Sequence, residues 1–337
     1  VSDALLALSN VHVRFPTAQG SVSAVSDVSL EVREGEIFGL VGESGCGKTT
    51  LAMATMGLLP ASTEVTGSIR FQGRDLVGMP EEDLRRLRGD RISMIFQDPM
   101  TSLDPAFPVG EQVAETILAH RDVTKAEARE RGLALLGDVG IPDAARRYDD
   151  PPHRLSGGMR QRVVIATALA NEPALMLADE PTTALDVTIQ SQVLSLLRAL
   201  RASHRTTVVL ITHDLGVIAQ VCDRVGVMYA GQLVEVAPVH ELFAQPRHPY
   251  TEALLAALPT GHQERGALRV IAGRVPSLVD PPAGCRFATR CPHVMDVCAQ
   301  TPPLAAETAE HAVACWLSEA TQRAGGNLEE AAKEGAG

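Results

Sequence analysis

Gly42-Glu43-Ser44-Gly45-Cys46-Gly47-Lys48-Thr49, followed by Thr50, is the stretch that decides the fold. Two glycines bracket four residues and are followed at once by Lys and Thr, between the apolar run Ile37 to Val41 and a helix-like stretch from Thr49 to Met56. Strand, glycine loop and helix in that order form the context a phosphate-binding loop requires. Residues without a Cβ follow a backbone path that turns successive amide hydrogens inward as an anion nest, and a helix starting near Lys48 adds its positive end. In this reading Lys48 reaches the outer phosphates of a nucleoside triphosphate and the Thr49 hydroxyl holds Mg²⁺. Glu43, Ser44, Gly45, Cys46 and Thr50 complete the cradle. Only three of the 30 basic residues are lysines, yet the loop keeps one. A compact ammonium fits between phosphates where a planar guanidinium does not.

Three further segments carry chemistry. Leu175-Met176-Leu177-Ala178-Asp179-Glu180 is an apolar strand that ends in two carboxylates. Open parallel sheets bind ligands beyond their strand carboxyl ends, so Asp179 is placed for the Mg²⁺ shell and Glu180 to polarise a water for in-line attack on the γ-phosphate. An acidic helix start is the plainer reading of such a pair standing alone. His213, after Thr207 to Ile211, and Gln97, after Ile95-Phe96, also lie at strand ends. His213 is a candidate to hydrogen-bond the γ-phosphate and hold Glu180 or the water, although a lone His there is more often a surface or capping residue. Gln97 is a candidate to report the γ-phosphate or Mg²⁺ to the helices that follow. Leu155-Ser156-Gly157-Gly158-Met159-Arg160-Gln161 offers a hydroxyl and glycine amides at the start of a helix read as Met159 to Ala170. One chain already has a complete cradle, so a second anion site suits a partner's nucleotide; the plainer reading is an ordinary Ser cap.

Composition narrows the classes. The 337 residues are long enough for two domains, and 45% are hydrophobic with no uninterrupted apolar run near bilayer length. The start, Val1-Ser2-Asp3-Ala4-Leu5-Leu6, lacks the basic and apolar regions of a secretory leader. A cytosolic location follows as the expectation, with any membrane link made through a partner. A net charge of −11 argues against nucleic acid as the main ligand. Of six cysteines, Cys285, Cys291, Cys298 and Cys315 crowd into one C-terminal stretch. In a reducing compartment such a cluster points to metal before disulfide.

Along the chain, Val11 to Phe15, Val28 to Val32, Ile37 to Val41, Ser68 to Phe71, Ile92 to Phe96, Leu175 to Ala178, Thr207 to Ile211 and Arg224 to Tyr229 read as strands. Val113 to Ala119, Lys125 to Leu136, Met159 to Ala170, Val187 to Ala202 and Leu215 to Val221 read as helices. Alternating strand and helix implies an α/β fold with a mostly parallel sheet, and the helical run implies a subdomain at about 98–170. Past 236 prolines punctuate short segments, which reads as a small accessory domain over 237–320. The Gly-, Ala- and Glu-rich tail 321–337 is expected to be disordered.

This set of motifs, in this order over roughly residues 5 to 260, resembles the ATP-binding-cassette family of P-loop NTPases, whose members pair head to tail around two ATP molecules. The resemblance implies that Phe15 stacks on adenine, Gln97 is the Q-loop, and Ser156, Gly157, Gly158 and Gln161 meet the partner's ATP. Ala184-Leu185-Asp186 would be the D-loop and His213 the switch histidine. Gln97, Glu180 and His213 would then be catalytic, with Thr49, Gln97 and Asp179 at the Mg²⁺. Arg247-His248-Pro249-Tyr250-Thr251 and the cysteine stretch look like the ATPase subunits of oligopeptide, dipeptide and nickel importers, most of all the "D" type. The cysteine intervals of five, six and sixteen residues lack a zinc knuckle, so a 4Fe-4S cluster is favoured over Zn²⁺, with four unligated cysteines as the remaining reading. Partners implied are a second, non-identical ATPase subunit, two integral permease subunits and, indirectly, an extracytoplasmic binding protein, all met at the cytoplasmic face of the membrane. Competing readings are a soluble cassette ATPase acting on a ribosome or DNA, an importer of nickel or another small solute, and a metal or redox sensor.

Overall fold

The computed structural model describes residues 4–97, 102–182, 186–204, 206–258, 271–318 and 323. These residues form two compact units, each gathered from separate stretches of chain. One draws on Val1–Leu6, Val32–Ile37 and Arg70–Ile211, the other on Ala7–Glu31, Phe38–Ile69 and Thr212–Gly337. The tail expected to be disordered lies outside the described residues, Arg323 excepted.

In the first unit, Ile92–Ile95, Leu175–Asp179 and Thr207–Ile211 pair side by side as parallel strands, with Ile92 opposite Leu175 and Leu175 opposite Thr207. Every residue of the three is buried, as continuous apolar runs require when both faces of a parallel sheet are covered. Helices Val109–Leu118, Lys125–Asp138 and Gly157–Leu169 make up the helical part. Val109–Leu118 starts four residues before the expected Val113, because Pro108 sets the extended conformation that precedes a helix. Thr124 and Glu127 close a capping box at the next. Gly157–Leu169 starts two residues before the expected Met159, with the Ser156 hydroxyl accepting from the Met159 amide at 3.3 Å.

In the second unit, Ile37–Val41 pairs in parallel with Arg224–Tyr229, Phe38 standing opposite Arg224. Arg224–Tyr229 turns through Ala230 and Gly231, both at positive φ (47° and 84°), into an antiparallel strand, Gln232–Pro238. Two left-handed residues make the tight turn whose twist matches paired strands. The short strand Ala312–Val313 then pairs with Val236 and Glu235, so the end of the chain extends this sheet.

Glu235 is fully buried in that strand. Its carboxylate accepts from the backbone amides of Arg247 (2.8 Å) and His248 (3.0 Å) and meets His311 Nε2 at 2.8 Å. Burial pushes the carboxyl up, but the hydrogen bonds, led by that of His311, outweigh it and hold it below the usual carboxylate range. One side chain thus ties the Arg247-His248 segment and the last strand to the sheet. Glu235→Ala strips three donors of their acceptor, each costing about 1–3 kcal/mol when left buried. The Arg247 amide is only part-buried and can turn to water, so the two buried donors set the expected loss at roughly 2–6 kcal/mol of local stability. Fluorescence of Trp316, the chain's sole tryptophan, reports it because its indole is buried and donates to Gln300 O. The urea midpoint should fall, and an unchanged midpoint would contradict this role for Glu235.

Candidate functional site

The loop Gly42 to Thr49 runs from strand Ile37–Val41 to helix Lys48–Met56. Two of its glycines are compelled by space as well as by backbone conformation. At Gly42, φ is 151° and a Cβ would stand 2.1 Å from Met228 O; at Gly47, φ is 103° and a Cβ would stand 2.4 Å from Ala24 O. The backbone is therefore packed from behind, while Ser44, Gly45 and Thr49 are exposed on the open side. Lys48 is 6% exposed, its ammonium donating to Gly42 O at 2.7 Å and Glu43 O at 3.2 Å. It is expected to reach outer phosphates; here its charge is held on the loop's own carbonyls, one bond rearrangement from an incoming anion. Burial pushes the Cys46 thiol up, against the opposing pull of Lys48, so Cys46 serves as a small apolar filler under the loop. The exposed loop residues Ser44, Gly45 and Thr49, the helix start and a compact ammonium fit a polyphosphate.

His213 is exposed, and the neighbouring Asp214 caps helix Leu215–Val221 through the amides of Gly216 (2.8 Å) and Val217 (3.3 Å). Phe15, in strand Ala4–Thr17, is only half-buried, unlike Val11 and Val13 in the same strand.

In the first unit, Asp179 closes strand Leu175–Asp179 and is 2% exposed. Glu180 follows at φ 48°, its amide donating to Ile211 O at 2.8 Å. A non-glycine residue in the left-handed region costs about 1 kcal/mol or more and persists where function or packing demands it. Gln97 Nε2 donates to Glu180 Oε2 at 3.1 Å. Gln97, Asp179 and Glu180 are thus gathered at adjacent parallel strand ends, and Gln97 orients Glu180 directly, a contact beyond its expected role toward phosphate and metal.

Ser156 is exposed at the start of its helix. Gly158 lies against the helix Val187–His204, where a Cβ would come 2.7 Å from Ile189 Cγ2. Gln161 corrects expectation: it is 2% exposed, on the helix face shared with Val164 and Ala168. Helical spacing sets it beside those two buried residues, so its side chain is packed inside and not presented with Ser156 at the exposed helix start. Of the expected D-loop, Ala184 and Leu185 lie outside the described residues, and Asp186 caps the next helix through the Ile189 amide at 2.9 Å.

Cys285, Cys291, Cys298 and Cys315 all line one small cavity, with His248, Phe287 and Trp316 among its walls. The Cys285 amide donates to Cys298 O at 2.9 Å, which brings these two together. Burial pushes up the thiols of Cys285 and Cys291, and that of Cys315 to about 11. Among the described residues, no group of three or more His, Cys, Asp or Glu is arranged to hold a metal ion. A ready-made single-ion site for Zn²⁺ is therefore not formed by these four sulfurs.

Two residues beside the phosphate loop escape a motif search. Tyr250 accepts the Glu43 amide on its hydroxyl at 2.9 Å, and Arg290 forms an ion pair with the Glu43 carboxylate at 2.7 Å. Tyr250 lies in the segment that marks the importer-like tail, a signal of kinship with no hint of this contact.

No helix among the described residues is long and apolar enough to cross a membrane. Residues 25–183 match the family described as ABC transporter, and 234–298 the oligopeptide/dipeptide transporter C-terminal region. The oligopeptide transport ATP-binding protein OppD of Escherichia coli is 47% identical over 315 residues, 94% of each chain. The dipeptide transport ATP-binding protein DppD of Bacillus subtilis is 48% identical over 318 residues, 94% of this chain and 95% of its own. Among solved structures, a dimeric ATP-binding cassette in a post-hydrolysis state with ADP and Pi aligns with a TM-score of 0.63 and 29% identity, covering 69% of this chain and 98% of that one. The cbiO1 protein of Clostridium perfringens, part of an ABC transporter complex, aligns with a TM-score of 0.62 and 28% identity over 72% of this chain and 92% of its own. Likeness at this level over nearly the whole length places the chain in the ABC transporter family, as an ATPase carrying the oligopeptide/dipeptide transporter C-terminal region.

Proposed function

We propose that this protein is the ATP-binding and ATP-hydrolysing subunit that energises import of di- or oligopeptides through a membrane ABC permease. The observation that carries the reading is the joint presence, in one chain, of an intact phosphate loop and the peptide-transporter C-terminal region. Residues 1–236 act as the nucleotide-binding domain, with 98–170 as its helical subdomain and 237–320 as the accessory domain.

Loop amides beyond Glu43, whose own amide is held by Tyr250, bind the phosphates, Lys48 exchanges a carbonyl for a phosphate oxygen, and Phe15 stacks on the base. Thr49, Asp179 and Gln97 are the residues that would hold Mg²⁺, which when bound would supply neutralisation of phosphate charge. Glu180 takes a proton from the attacking water as its oxygen bonds to the γ-phosphorus and the bond to the ADP oxygen breaks. Gln97 holds the Glu180 carboxylate in place, and His213 steadies the transferring phosphoryl group. Ser156 and the Gly157 and Gly158 amides close on the ATP of a second, non-identical ATPase subunit. The pair docks on two integral permease subunits at the cytoplasmic face of the membrane, with an extracytoplasmic binding protein supplying the peptide.

The four-cysteine cavity is read as an iron–sulfur cluster site. Support comes from the donor set and its convergence on one cavity; a cluster holds its cysteines further apart than one ion does, so the lack of a single-ion group does not oppose it. Held there by Cys285, Cys291, Cys298 and Cys315, a cluster would supply a structural or regulatory staple for a proline-rich segment.

Three outcomes are expected. Glu180→Gln in the reconstituted complex should bind ATP with little change yet lose hydrolysis by roughly 100-fold or more, the range for removing a general base; preserved turnover would contradict the role of Glu180. Gly42→Ala should abolish nucleotide binding, because its Cβ has nowhere to stand, and a variant that binds ATP normally would refute the cradle. Anaerobic purification should give iron and acid-labile sulfide in equal amounts, with Cys285→Ser losing both; zinc, or no metal, would overturn the cluster.

A further inference from the structure

The structure assigns Arg290 as the positioning residue of the phosphate loop: its guanidinium neutralises and fixes Glu43, so the C-terminal cysteine-bearing segment sets the loop's affinity for ATP. This inference rests on the proposal that ATP binds at Gly42 to Thr49.

Arg290 has a side chain 3% exposed and grips Glu43 with two parallel bonds, Nη1 to Oε2 at 2.7 Å and Nη2 to Oε1 at 3.1 Å. Its other donors are used as well: Nη1 on Tyr229 OH (3.2 Å), Nε on Ala272 O (2.9 Å) and Nη2 on Ile271 O (3.2 Å). The guanidinium lies 5.7 Å from the Tyr229 ring centre and 5.9 Å from that of Phe287. The Glu43 hydrogen bond leads the causes that push the Arg290 pKa further up. A solvated surface pair would contribute little. A bidentate pair with a buried guanidinium is another matter, since removing one partner strands the other charge.

Every polar group of Glu43 is thereby occupied. Its amide donates to Tyr250 OH, its carbonyl accepts from Lys48 Nζ, and its carboxylate is held by Arg290. Tyr250 is itself immobile: its ring is fully buried, 4.6 Å from Tyr229 and 5.5 Å from Phe287, and its amide donates to His248 Nδ1 at 3.0 Å. Burial lowers the His248 pKa to about 4, so the imidazole is neutral and free to accept that bond. An anion nest works only while its amides keep their aim, and the clamp holds the residue between Gly42 and Ser44 from both sides.

Charge gives the second half of the argument. Glu43 places a carboxylate inside a loop meant for a polyanion, and unpaired it would repel the nucleotide. Arg290 cancels that charge. The segment that delivers Arg290 is the turn Ala288–Arg290 between Cys285 and Cys291, two of the residues lining the cysteine cavity.

The test is ATP-dependent turnover of the assembled transporter. Arg290→Gln should raise the KM for ATP about tenfold with kcat changed less than about twofold, a tenfold change being about 1.4 kcal/mol. Adding Glu43→Gln to that variant removes the stranded charge and should bring the KM back to within about threefold of wild type; a merely structural role for Arg290 would instead lower kcat or the assembled fraction and leave KM unmoved. Should Arg290→Gln not assemble, Tyr250→Phe keeps the core ring, deletes only the amide's acceptor, and should raise the KM about threefold. A wild-type KM in Arg290→Gln, no rescue in the double variant, or a wild-type KM in Tyr250→Phe overturns the inference. A wild-type complex that does not hydrolyse ATP instead refutes the parent reading.

Discussion

No side chain can stand at residue 42, and much of the site follows from that constraint. The Gly42 backbone presses against Met228 O, and that of Gly47 against Ala24 O. These approaches close the loop from behind and leave its open side to Ser44, Gly45 and Thr49, which are exposed. Local sequence supplies the permission, in the form of glycines. The tertiary fold supplies the compulsion, because Ala24 and Met228 lie on strands far away in the chain.

The same division explains the C-terminal region. A loop that binds by backbone amides needs rigidity more than side-chain chemistry. Here rigidity comes from Tyr250 and Arg290, while Glu235 secures the strand and the His248 segment on which Tyr250 depends. Buried polar groups are costly unless fully partnered, and this network partners them by joining residues that are distant in sequence. Hydrolysis draws on the opposite kind of design: Glu180 stands at a strained backbone angle with one carboxylate oxygen held by Gln97. Strain of that sort is retained where a group must be presented rather than packed.

Legibility in the sequence follows range. Ile37–Val41, Thr207–Ile211 and Arg224–Tyr229 match expectation at both ends, since strands buried on two faces are uniform apolar runs bounded by polar residues. Gln232–Pro238 went unread because a buried Glu235 and a terminal Pro238 break that pattern, and because the Ala230-Gly231 turn lacks the usual Asn or Asp. Strands Ala4–Thr17 and Gly20–Arg33 run well beyond the expected Val11 to Phe15 and Val28 to Val32, the first because its start, Ala4 to Leu8, is apolar and largely buried. Loop, carboxylate pair and Ser cap are legible as motifs, whereas the burial of Gln161 depends on which face of its helix the fold covers. Arg290 and Tyr250 stand 247 and 207 residues from Glu43, a pairing no local pattern encodes.

The central claim is that this chain grips ATP with its own glycine loop and completes the site with a facing subunit. It is tested most directly by determining the structure of the intact transporter trapped with a non-hydrolysable ATP analogue. The account predicts phosphates seated on the amides of Ser44 to Thr49, with a serine-glycine segment of the facing subunit over the γ-phosphate. Nucleotide bound away from those amides, or with no facing segment near it, would contradict the account.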